Sequence, residues 1–311
     1  MGITHFEDAP AREVEAGHIH GRWTYLGEAA GSVDAGVRRI ELPAGGWSTP
    51  AHEHAGEEEL FFVLAGRGLS WQRGGTAQIG EGDCILYRPR RGAHTLHALE
   101  PLDVLAFGPR HRDESLALPR LGLSVIGGRA IESGPGSENR VPIQFLREAE
   151  VGPPELPDPG ERPSSIVNLR DVEARPVKRG RVSRVRRDLA TAAGSVSTGL
   201  QHVEVEPGFE SVPLHCHSVE EEIFVVLGGA GVLVLDDEEE TAVRPGHVVA
   251  RPAGTGVGHL FRAGEEGLTY LAYGTRDPAD ICFYPRSNKL SFRGVRVIAR
   301  IERLDYWDGE E

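Results

Sequence analysis

The sequence predicts an all-β protein of two β-sandwiches or barrels in tandem. Three observations carry that prediction. The first is an internal repeat. Ala29-Ala30-Gly31-Ser32-Val33 recurs as Ala192-Ala193-Gly194-Ser195-Val196, 163 residues on. At the same spacing Glu57-Glu58-Glu59-Leu60-Phe61-Phe62-Val63-Leu64 maps onto Glu220-Glu221-Glu222-Ile223-Phe224-Val225-Val226-Leu227. Leu105-Ala106-Phe107-Gly108 then matches Leu271-Ala272-Tyr273-Gly274 at a spacing of 166, as Pro119-Arg120 matches Pro285-Arg286. The second observation is the local grammar, short runs of branched and aromatic residues divided by turn formers. The third is the segment 151–165, whose five prolines cannot supply donors to a sheet and read as a linker.

In chain order, residues 1–10 are acidic and lack an apolar signal core, which predicts a cytoplasmic protein. The first unit, 1–150, contains a strand at 60–64 and turns at Gly74-Gly75 and Gly80-Glu81-Gly82-Asp83. The second, 166–311, contains strands at 201–205, 231–235 and 268–273 and a turn at Asp236-Asp237. Residues 211–227 are too interrupted by Pro213 and β-branched side chains to be a helix. A hydrophobic content of 39% is ordinary for a globular chain, and excludes global disorder. The longest nearly apolar run, 223–235, is 13 residues, short of the roughly 20 that a membrane helix needs. Three cysteines, Cys84, Cys216 and Cys282, make no disulfide framework and fit a reducing compartment. A net charge of −13 repels phosphate backbones, and the basic run 178–187 reads as a solvated strand face. A small-molecule substrate is therefore expected, with no nucleic-acid or membrane partner; homo-oligomerisation is left open.

The chemistry sits in one constellation, present twice. His52-Glu53-His54 is followed by Glu59 and then His94; His215-Cys216-His217 is followed by Glu222 and then His259. Residues two apart on a strand share a face, so each His-x-His pair offers two imidazoles to one space. Glu59 and Glu222 follow a short turn and can return a carboxylate to it, while His94 and His259 arrive from a distant strand. Three neutral imidazoles and one carboxylate suit divalent Mn, Fe, Co, Ni or Zn, whereas calcium prefers oxygen ligands. Two metals per chain are expected. Four protein ligands leave about two octahedral positions open for substrate, or for substrate and dioxygen.

These residues resemble the cupins, and in their duplication the bicupins. The first cupin motif, G-x5-H-x-H-x3-4-E-x6-G, is matched from Gly46 to Gly66, and from Gly208 to Gly229 with one extra residue before His215. The second motif, G-x5-P-x-G-x2-H-x3-N, is met by Gly82, Pro89, Gly92 and His94 with shifted spacing. It is met again by Gly246, Pro252, Gly254 and His259, with two residues inserted before the histidine. The closing Asn is absent from both, Ala98 standing in its place in the first. The resemblance implies two tandem cupin barrels, that is, double-stranded β-helices or jelly rolls, each with a central metal site.

Weaker signals are weighed beside it. His18-Ile19-His20 has same-face spacing but no following Glu, and reads as a solvent-facing strand. Cys216, between two ligands, points to the opposite face and reads as a packed residue. Arg88 and Arg251, before the motif prolines, can either reach a substrate carboxylate or form ion pairs within the sheet. Ser137-Glu138-Asn139 is similar to the lid tripeptide of oxalate decarboxylases, in a Gly-rich segment without other oxalate features. For function, resemblance to bicupin quercetinases implies a metal-dependent dioxygenase acting on a small enol, phenol or carboxylate. In such an enzyme Glu59 or Glu222 doubles as general base, and Phe61, Trp71, Phe224 and Phe261 are available to line a cavity. Non-redox isomerisation or decarboxylation and non-catalytic ligand binding are the alternatives. The roomier glycine-rich loop before His259 favours the second barrel as the substrate site.

Overall fold

In the computed structural model, which describes residues 2–111, 114–126, 129–132, 138–140 and 143–310, each half of the repeat is an antiparallel barrel. The first half pairs Asp83–Tyr87, Glu59–Ala65, Leu102–Pro109, Ala35–Leu42, Ile19–Thr24 and Ala11–Ala16 in that order, with His94–Ala98, Arg67–Gln72 and Gly75–Gly80 as the facing sheet. In the second half the corresponding strands run unbroken: Glu222–Leu235 pairs with His259–Thr275 along its length, with register shifts at Val226/Gly228 and Gly229/Gly231.

The closing glycine of each first motif is where a strand folds from one sheet to the other. Gly66 has φ +87° and Gly229 φ +68°. A Cβ at Gly66 would sit 1.9 Å from Pro101 O, and one at Gly229 2.1 Å from Gly267 O. Only glycine meets both demands. The expected turn at Asp236-Asp237 has positive φ at both residues, and the turn at Gly74-Gly75 is centred on Arg73 and Gly74.

Run 60–64 is continuously apolar because its strand is buried on both faces. Phe61 and Val63 fill the first barrel, whereas Leu60 and Phe62 pack outward against the second. Phe224 and Val226 likewise fill the second barrel while Ile223 and Val225 face the first. The resulting shared core spans both halves, and Phe107 stacks on Tyr273 at 5.4 Å across it. The halves also exchange strands: Gly2–His5 pairs with His247–Arg251 of the second barrel, and Ile166–Asn168 with Asp83–Tyr87 of the first. The proline-rich segment is laid along the first barrel, where Trp71 Nε1 donates to Glu155 O and Thr76 Oγ1 to Pro157 O. The helix Ile143–Val151 was not legible in the sequence pattern. No helix of the described residues is long and apolar enough to cross a membrane.

Candidate metal centres

The eight expected ligands come together as two groups, one in each barrel, each gathered around a glutamate. In the first, His52 and His94 bridge each other through their backbones, His54 pairs opposite Leu116, and Glu59 opens its strand. Glu59 Oε2 lies 2.9 Å from His94 Nε2, 3.8 Å from His52 Nε2 and 3.7 Å from His54 Nε2. In the second, Glu222 Oε2 lies 2.9 Å from His259 Nε2, 3.7 Å from His215 Nε2 and 3.4 Å from His217 Nε2. His52 and His215 donate from Nδ1 to Pro50 O and Pro213 O, both at 3.0 Å, which fixes the tautomer that turns Nε2 inward.

The electrostatics suit a cation. Burial and the neighbouring imidazoles push His52 and His215 down to about 3, so both are neutral acceptors at pH 7. Burial opposes ionisation of Glu59, but the hydrogen bond from His94 and the neighbouring His54 ring hold it well below the carboxylate range; His259 and the other imidazoles do the same for Glu222. His54 Nε2 is buried with no hydrogen-bond partner. An orphaned imidazole nitrogen aimed at an ionised carboxylate is what a metal-ligand set looks like without its ion.

Behind each His-x-His lies a carboxylate that motif matching missed. Asp280 Oδ2 lies 2.7 Å from His217 Nδ1, and Asp280 Oδ1 accepts from the amides of Ser218, Val219 and Glu220. Burial opposes its charge, yet the bond from His217 holds it down at about 2. The counterpart Glu114 approaches His54 Nδ1 only to 3.5 Å. The signal was present, since the 166-residue spacing that relates Pro119 to Pro285 also relates Glu114 to Asp280.

The two centres differ beyond that. Arg251 stands opposite Glu222, but Tyr87, not Arg88, stands opposite Glu59, because the first repeat has one residue more between Gly82 and its proline. Arg88 therefore points away, donating to Gly194 O at 2.8 Å, and cannot bind a substrate there. Arg251 donates from one terminal nitrogen to Val257 O, which ties down the loop before His259, while its Nε is buried without a partner. Tyr87 stacks on His94 at 3.8 Å. Phe61 and Trp71 belong to the apolar core of the first barrel. Phe224 and Phe261 likewise belong to the core of the second barrel, and also line a cavity of about 60 Å³ with His215, Glu222, His259, Gln201, Tyr270 and Arg184. Arg184 comes from the basic run that had read as a solvated face. Its Nε is buried without a partner, and burial lowers its proton affinity. No repeat signal marked it, since its counterpart is Gly21.

Toward solvent, His54 and Glu59 open onto a cavity of about 440 Å³, and His215, His217 and Glu222 onto one of about 480 Å³. His18 corrects another expectation: its side chain is only 9% exposed, packed edge-on to Trp47 beside Glu148, while His20 is exposed. Cys216 is buried, as expected. Ser137 lies outside the described residues, as do the side chains of Glu138 and Asn139.

Comparison with known proteins agrees with this architecture. An oxalate decarboxylase of Bacillus subtilis superposes with a TM-score of 0.57 at 18% identity, covering 90% of this chain and 78% of its own. The Mn(II) centres of the same enzyme are the subject of another structure, with a TM-score of 0.56 at 18% identity and the same coverage. A cupin-superfamily sugar phosphate isomerase of Silicibacter pomeroyi is 30% identical over 45% of this chain and 96% of its own, with a TM-score of 0.40. No curated protein matches the chain. Residues 38–107 and 201–272 each match the family model described as a cupin domain, and the chain is a two-domain cupin.

Proposed function

We propose that the protein is a metal-dependent enzyme, a dioxygenase of a small enol, phenol or carboxylate, with its substrate bound at the second barrel. Arg184 carries this reading: this half-buried arginine, whose Nε is buried and unpartnered, lines the cavity that also reaches His215, Glu222 and His259. A buried guanidinium nitrogen without an acceptor is costly, and an anionic group on a ligand would offset that cost. Tyr270 and Gln201 line the same space and can add hydrogen bonds to an oxyanion. The first barrel has glycine at the position of Arg184, and its interior is filled by Trp47, Trp71, Tyr87, Leu96 and Val104.

His215, His217, Glu222 and His259 would hold a divalent transition metal, as would His52, His54, Glu59 and His94. Such an ion supplies Lewis acidity and, if redox-active, a place for dioxygen. The protein's own part is positional. Arg184 would hold no more than a small anionic group of the substrate, since the cavity beside it is about 60 Å³, and Asp280 holds the His217 ring. Glu222, held well below the carboxylate range, is a weak base, so taking a proton from an enol or phenol would also need the Lewis acidity of the bound ion.

The test is oxygen uptake and carbon dioxide release by metal-loaded protein over a panel of enols, phenols and small carboxylates. Uptake should vanish in His217→Ala, persist in His54→Ala, and require at least about tenfold more substrate in Arg184→Leu. Carbon dioxide without oxygen uptake would replace the dioxygenase with a decarboxylase. Silence of the loaded protein toward the whole panel would remove the enzymatic reading, and loss only in His54→Ala would move catalysis to the first barrel.

A further inference from the structure

The second centre carries a potential ligand that the first lacks. Strand Ile281–Tyr284 pairs with Cys216–His217 so that Cys282 stands directly opposite His217. The matching position in the first barrel, opposite His54, is Leu116. Cys282 is 7% exposed and faces the same cavity as His215, His217 and Glu222. Its Sγ and the ligand nitrogens of His215 and His217 all lie within 4.8 Å of one another.

The grouping of donors differs accordingly. In the first barrel His52, His54, Glu59 and His94 form one compact set. In the second, two triads overlap at His215: one is His215, Glu222 and His259, the other His215, His217 and Cys282. Bond lengths of about 2.1 Å to nitrogen and 2.3 Å to sulfur place N and S on one ion roughly 3 Å apart when adjacent and 4.4 Å apart when opposite. The observed spacing needs only a small side-chain adjustment to reach that range.

We propose that the Cys282 thiolate is a ligand of the second metal centre, which therefore selects a softer ion than the all-nitrogen-and-oxygen first centre. The thiol proton leaves to solvent as the sulfur–metal bond forms, and no electron changes hands. A thiolate biases a site toward Zn, Fe or Co over Mn. It also makes the second centre the one open to oxidative damage, because a peroxide entering from the cavity side can oxidise the sulfur by two electrons to sulfenic acid, leaving water or an alcohol. Cys84 lies in the core shared by the barrels, and Cys216, as buried as Cys282, does not line that cavity.

The test uses Co²⁺ alone as the probe on the His54→Ala full-length protein, after metal analysis shows one bound equivalent. An intense near-ultraviolet sulfur-to-cobalt band is expected, retained in the added Cys216→Ser change and abolished by Cys282→Ser or Cys282→Ala. The same two changes should cut the preference of that site for Zn²⁺ over Mn²⁺ by about tenfold or more in competition. One equivalent of Co²⁺ without the band would overturn the proposal, as would a band that survives loss of Cys282. The readout is independent of any substrate, so its failure leaves the enzymatic reading standing and its success does not depend on turnover.

Discussion

Asp280 and His217 sit 2.7 Å apart behind the second centre, and this contact sets how the centre should respond to pH. Burial opposes charge on His217, but Asp280 and Glu222 raise its proton affinity above the ordinary value near 6.5. Asp280 is held down at about 2. The stabilisation of metal-free protein from a raised histidine is complete below pH ~6.5 and is lost as pH rises through the raised value. The contribution from Asp280 is complete above pH ~3.9 and is lost as pH falls toward about 2. Metal binding must expel the extra proton from His217, so apparent affinity should rise with pH through and above neutrality. Asp280→Ala should weaken metal binding at the second centre by roughly 10–100-fold and flatten that pH dependence, as competition with a chelator would show. Equal affinities for Asp280→Ala and unaltered protein would make the contact incidental. The eight side chains that the structure brings together were legible from the sequence because they repeat in register. Asp280 was legible in principle, through its fixed spacing from Glu114. Arg184 and Cys282 were not, because Gly21 and Leu116 hold their places in the first copy and a repeat shows only what both copies keep.

At the scale of strands and turns, the sequence showed where elements lie but not how each faces its neighbours. Strand 59–65 was visible as an apolar run, yet its burial on two sides appears only once the second barrel packs against it. One additional residue between Gly82 and Pro89 reverses the side on which the neighbouring arginine emerges, since successive residues of a strand alternate faces. That is why Arg88 fails as a counterpart of Arg251. The motif glycines offer a measurable check on this level. Gly66→Ala forces a Cβ against Pro101 O at 1.9 Å as well as a positive φ, whereas Gly74→Ala meets a positive φ with nothing within 4 Å. Urea unfolding should show Gly66→Ala losing more than about 3 kcal/mol and Gly74→Ala about 1–2 kcal/mol. Similar losses for both would mean that the strand does not bend there as described.

Across the whole molecule, the two barrels hold each other through a shared apolar core and a reciprocal pair of buried glutamates. Glu58 accepts from Ser195, Val196 and Ser197 of the second half, and Glu221 from Val33, Asp34 and Ala35 of the first. With strands also exchanged at Gly2–His5 and Ile166–Asn168, the halves should unfold in one cooperative transition. Phe107→Ala should lower stability by about 3–5 kcal/mol without splitting that transition, which calorimetry would reveal as one peak shifted or two peaks separated. The sequence announced the duplication, but strand exchange was hidden, because short terminal segments carry no periodic signal of the sheet they join. The account as a whole rests on two metal centres built from equivalent ligands, and metal analysis of protein purified without a metal-affinity tag tests it most directly. Two equivalents of divalent metal per chain are predicted, falling to one in His54→Ala and one in His217→Ala. A single equivalent that is unchanged by one of these substitutions would contradict it.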